Sequence, residues 1–146
     1  MKSASITREE IFQYAKEKFG TSPEYLWAKF PNYAVLRNSE NSKWYAIIMS
    51  IPQKRLGLKS EEHIDILDVK CDPILIGSLI NNNGYLPGYH MNKANWITLL
   101  LDGSVPKDDV LSLIDLSYEL TTTKRNKTFI STHSVAIVKV KKVVAS

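Results

Sequence analysis

Four side chains in this sequence have the nucleophilic or metal-binding character that much enzyme chemistry requires: His63, His90, His133 and Cys71. Zinc sites draw Cys and His in pairs a few residues apart, whereas each of these stands alone. His90 could act as a general base only with a partner to orient it and a substrate proton within hydrogen-bond reach, and the sequence supplies neither. No Ser-His-Asp order, phosphate-cradling glycine run or close carboxylate pair on a helix face accompanies it. The expectation is therefore a protein with no catalytic residue, no metal and no cofactor, and not an enzyme.

Binding chemistry is better represented. The stretch GYLPGYHMNKANW, Gly84 to Trp96, sets aromatics, a histidine, asparagines and a lysine between two apolar segments. Lys93 offers a point charge for an anion, Asn92 a donor and an acceptor, and Tyr89 and Trp96 flat faces for stacking. His90 belongs to the same candidate set, and Lys43, Lys54 and Arg55 would extend it if their loops fold towards it. The competing reading is a structural closure. Trp96 then joins the core, Tyr85 and Tyr89 cover it, Pro87 and Gly88 set a turn, and His90 and Asn92 satisfy loop backbone groups.

The 146 residues, 44% apolar and 23% charged, suit one globular domain, and no apolar run approaches the roughly 20 residues that span a bilayer. The N-terminus MKSASITREE lacks the apolar region of a secretory signal, and the single cysteine cannot close an intramolecular disulfide. Both point to the cytoplasm. The net charge of +4 is unevenly distributed: residues 1–119 carry 13 Lys and Arg against all 15 Asp and Glu. The excess comes from Lys124, Arg125, Lys127, Lys139, Lys141 and Lys142, which a polyanion would meet first, or which serve as a solubilising tail.

The elements that must position these groups are legible in outline. Thr7 and Glu10 form a capping box with an Ile6–Ile11 staple, opening a helix over Arg8 to Phe19 that Gly20 stops. Its stripe is Ile11, Phe12, Ala15 and Phe19, and its charged face, with Arg8, Lys16 and Lys18, reads as solvent-exposed. Pro23 and Pro31 argue against a long helix in TSPEYLWAKFP. Tyr33–Arg37 and Lys43–Ile51 read as an antiparallel pair joined at SENS. Residues 62–70 alternate as a half-buried strand, with Ile64 and Ile66 inward and Asp65, Asp68 and Lys70 towards water. QKRLGLKS between these strands is a projecting wing. Asp72-Pro73 starts a short helix, WITLLL is an internal strand, and a last helix follows Pro106 and ends near Thr121. HSVAIVKVKKVV is a further strand or an extension. This order gives an α+β fold, a mainly antiparallel sheet flanked by helices.

The segments KWYAIIM, LDVKCDP, LPGYHMNKANWITLLLD and LIDLSYELT, in this order, resemble the MmcQ/YjbR family of small bacterial proteins, with Pro87 to Trp96 the most specific part. The resemblance covers a domain of residues 5–121, leaving 122–146 as a basic extension. It implies a two-layer sandwich akin to CyaY or secretion chaperones, described as a double wing and labelled DNA-binding by analogy. Two functions follow as expectations. One is a DNA-binding accessory protein contacting phosphates through the wing, Lys93 and the tail. The other is a chaperone-like module that binds a protein partner or a small ligand at the Tyr89–Lys93 loop.

Overall fold

The computed structural model describes residues 5–122; the basic tail read from the sequence lies outside them. Five strands form one antiparallel sheet: β1 (Ala34–Arg37), β2 (Trp44–Pro52), β3 (His63–Lys70), β4 (Tyr85–Pro87) and β5 (Trp96–Leu100), in the order β1-β2-β3-β5-β4. Three helices, α1 (Arg8–Phe19), α2 (Pro73–Leu79) and α3 (Lys107–Leu120), complete the α+β fold.

Local chemistry accounts for the helix ends. The Thr7 side chain accepts from the Glu10 amide while Glu10 reaches back to the Thr7 amide, and Gly20 closes α1 at φ 69°. Asp72 caps α2 through the Ile74 amide, with Pro73 in the first turn where its missing N–H costs nothing. The edge strand β4 is not evident in the sequence, since three residues ending in proline carry too little pattern to read.

All three helices pack on one face of the sheet. Ile11 and Ala15 of α1, Leu75 and Leu79 of α2, and Leu113 and Ile114 of α3 meet Leu36, Ile48, Leu67 and Leu99 from the strands. The opposite face carries a second apolar cluster built on Val35, Ile47, Met49, Ile66, Trp96 and Leu100, and here loops provide the cover. The expectation that β3 turns Asp68 towards water is therefore wrong: Asp68 is fully buried on this second face. Asp65 and Arg8 correct the reading of α1 as a plainly exposed charged face. The Arg8 guanidinium forks onto Asp65 at 3.1 Å and donates to the Asn32 carbonyl at 2.8 Å.

Candidate functional site

The second face holds a cavity of about 270 Å³ whose walls are mostly rings. Three chain segments build it. The first crosses the edge of β1, where Glu24 and Val35 exchange backbone hydrogen bonds at 2.9 Å, and then folds over the sheet. It contributes Trp27, Phe30 and Tyr33, with Phe30 and Tyr33 stacked at 4.7 Å and Trp27 edge-on to Tyr33 at 6.1 Å. Arg8 fixes its far end through the Asn32 carbonyl.

The second segment is β2 itself. Strict alternation from Ile47 and Met49 would send Tyr45 to the cavity and Trp44 to the helices. A bulge opposite the Leu36/Arg37 step reverses this, because Leu36 pairs with Ala46 and Arg37 with Trp44, leaving Tyr45 as the extra residue. Tyr45 is buried among the helices, and Trp44 packs edge-on against Trp27 at 5.8 Å in the cavity wall.

The third segment is the loop read from the sequence as a candidate site. Gly88 is pressed onto β5 so closely that a Cβ there would lie 2.8 Å from the Trp96 carbonyl oxygen. This approach brings the Tyr89 amide within 2.8 Å of the Thr98 hydroxyl. His90 follows in the left-handed region at φ 61°, a conformation histidine tolerates better than most residues, and its ring stacks on Tyr89 at 4.0 Å. Tyr89, His90 and Met91 close the cavity.

A polar chain runs beneath that loop. Val35, Ile47, Asp68, Thr98 and Leu86 are successive cross-strand partners, so Asp68 stands at the middle of the sheet beside the cavity's Ile47. Having accepted from Tyr89, the Thr98 hydroxyl donates to Asp68 Oδ1 at 2.5 Å, and Asp68 Oδ2 has no partner among the described residues. Burial pushes the Asp68 carboxyl up to about 7, against the pull of the Thr98 hydrogen bond and the Lys93 charge. Burial likewise raises the Tyr33 phenol, Tyr89 adding to the effect and Arg55 opposing it.

The residues singled out in the sequence are not gathered at one point. Tyr89, His90 and Arg55 line the cavity. Lys93 lies in the same loop, its ammonium held by the Gly88 carbonyl at 3.1 Å, and Asn92 accepts the Ala94 amide at 2.9 Å, an ordinary turn contact. Lys54, next to Arg55 on the 3₁₀ turn Gln53–Leu56, faces Glu61 at 3.6 Å. Lys43 precedes β2 whereas Lys54 follows it, which separates them by roughly 30 Å, the length of a nine-residue strand. Among the described residues no three His, Cys, Asp or Glu converge as a metal site would require. No helix there is long and apolar enough to cross a membrane.

Residues 16–120 match the model of the family described as YjbR. The chain belongs to the YjbR family. It is 47% identical over 116 residues to the uncharacterised protein YyaQ of Bacillus subtilis (strain 168), an alignment covering 80% of this chain and 98% of YyaQ. To YjbR of Escherichia coli (strain K12) it is 27% identical over 116 residues, covering 78% and 86%. A crystal structure of a Pseudomonas syringae protein shares 44% identity at a TM-score of 0.78, covering 80% of this chain and 100% of that one. A Deinococcus radiodurans crystal structure, 22% identical at a TM-score of 0.62 and covering 90% and 92%, shares the fold.

Within this YjbR fold, sequence reasoning missed Trp27, Phe30, Tyr33, Trp44 and Asp68. The available signal was the aromatic density of EYLWAKFPNY, four rings around a proline, too polar for a core strand and too rich in rings for an ordinary connection.

Proposed function

We propose that this YjbR chain is a non-catalytic binding module that takes a small aromatic ligand into the cavity on the second sheet face. The observation that carries the reading is the ring-lined cavity itself, held by contacts independent of any guest: Arg8 to Asn32, the β2 bulge, and Gly88 against Trp96. Preformed, mostly apolar concavities with a few placed polar groups are where small ligands bind. Binding rather than chemistry is favoured because Asp68 lies beneath Tyr89 and His90 has no hydrogen-bond partner to orient it among the described residues.

A second reading, contact with DNA phosphates, is supported by one relationship. Asn41 Nδ2 donates to the Thr121 carbonyl, and Asn38 to the Thr121 hydroxyl at 2.9 Å, so the chain leaves α3 beside the hairpin that carries Lys43. The basic residues from Lys124 onwards follow in sequence.

Nitrogen-15 spectra of the full chain test both readings. With a library of one- and two-ring aromatics, the indole signals of Trp27 and Trp44 and the amides of Tyr89–Met91 are expected to shift, leaving α1 and α3 in place. A duplex DNA would instead move Lys43 and its neighbours, with an affinity that falls steeply as salt is raised. Shifts confined to the helical face, or none with any fragment, would defeat the cavity reading.

A further inference from the structure

Resting on the binding reading above, we propose that the cavity selects a planar aromatic ring bearing one anionic group, with Arg55 as the charge partner of that group. The geometry of the walls sets the first half. Phe30 stacks on Tyr33 with the planes inclined by 16°, Tyr89 stacks on His90 with a tilt of 30°, and Trp27 stands edge-on to Tyr33 and Trp44, so the interior is bounded by flat faces and ring edges. A flat guest meets such walls in the offset and edge-to-face arrangements that aromatic rings prefer. The volume of about 270 Å³ falls just below the range of sites for drug-sized molecules and suits one or two fused rings.

Charge sets the second half. Among the described residues Arg55 carries the one fixed charge on the cavity wall, and no described carboxylate lines it. No described carboxylate pairs with Arg55, whereas its neighbour Lys54 is already turned to Glu61. A planar guanidinium presents paired donors that match a carboxylate, and it is the more weakly hydrated of the basic groups. Its position is set by the 3₁₀ turn: Gly57 turns at φ 80°, the Gln53 amide bonds the Glu62 carbonyl at 3.0 Å, and Leu56 and Leu58 pack on the second face. The acid nearest the floor, Asp68, is roofed by Tyr89 and faced by the Lys93 charge. Ring-lined sites also attract ammonium ions. Here Arg55 repels them.

The test is calorimetric titration of the full chain and of Arg55→Gln with 2-naphthoate, 2-naphthalenemethanol and 2-naphthylmethylammonium. The carboxylate is expected to bind the parent about tenfold more tightly than the alcohol, with the ammonium weakest, as one charge-assisted pair implies. Arg55→Gln should bring the carboxylate down to the alcohol and leave the alcohol unchanged, with an unaltered melting temperature because Arg55 is exposed. Equal binding of the three probes, or a carboxylate preference that survives Arg55→Gln, overturns the selectivity while keeping the cavity. Binding of none overturns the cavity reading and the selectivity together.

Discussion

The hydroxyl of Ser117, in the last turn of α3, donates to the carbonyl of Tyr45 at 2.6 Å. The same oxygen accepts the Lys70 amide at 2.8 Å. Tyr45 is the extra residue of the β2 bulge, and the β2–β3 pairing begins one residue later at Ala46 and Val69. A helix side chain thus satisfies the Tyr45 carbonyl and the Lys70 amide at the point, beside the bulge, where the β2–β3 ladder stops.

Ser117→Ala should leave both groups buried and unpaired, lowering stability by about 1 to 3 kcal/mol. Because the bulge also aims Trp44, tryptophan emission from the cavity face should change in the folded variant. Urea unfolding combined with native-state fluorescence checks both. A variant as stable as the parent would show that the bulge does not depend on Ser117.

Asp68 predicts an unusual pH dependence. Its carboxyl titrates near 7 in the fold against an ordinary 3.8 in the open chain. Between about pH 4 and 7 the folded state holds a proton that the unfolded state has lost, so this group's contribution makes stability fall as pH rises through that window and level off above it. Asp68→Asn keeps the shape and cannot ionise. It should gain on the parent with rising pH, by up to about 4 kcal/mol at pH 8 relative to pH 4. Denaturant unfolding of both proteins at pH 4, 6 and 8 isolates the difference from other carboxylates; a difference that does not vary with pH would be the contrary result.

Two glycines should respond with opposite signs. At Gly88 an added methyl meets the Trp96 backbone, so Gly88→Ala should cost about 1 to 3 kcal/mol and speed exchange of the Tyr89 amide as the loop lifts from Thr98. Gly77, inside α2 with open space around it, should gain about 0.5 to 1 kcal/mol on substitution by alanine. Thermal melts of the two variants decide the signs.

Arg8 holds the Trp27–Tyr33 segment from behind through Asn32. Arg8→Ala is expected to lower stability by about 1 to 2 kcal/mol and to loosen that segment. Limited digestion with trypsin, followed by mass spectrometry, should then show faster cleavage after Lys29 than in the parent. Unchanged cleavage would mean that Arg8 serves the fold without holding the loop.

The elements that proved readable are those whose signals are local. Thr7, Glu10 and Gly20 fix α1 within a few residues of chain, and Asp72-Pro73 does the same for α2. The site was less legible because its geometry comes from afar. Trp44 reaches the cavity only through a bulge that Ser117 stabilises from α3, and a period-two reading places it on the wrong side. Asp68 reads as solvent-facing because a buried carboxylate is normally excluded; only the loop carrying Tyr89 and the Thr98 hydroxyl make its burial tolerable. Within the loop, His90 and Tyr89 were recognisable as candidates, while Asn92 turned out to hold a turn.

The two outer strands of the sheet are also informative. β4 is three residues long and ends in Pro87, which has no N–H to offer, while the far side of β1 is occupied at Val35 by Glu24. Exposed strand edges are where folded β proteins recruit neighbouring copies into ribbons and fibrils, and short edges, proline and covering segments are the usual protection. Crowding or heating below the unfolding transition should therefore leave this chain dispersed, and aggregation should begin only once the Glu24 segment or β4 has come away.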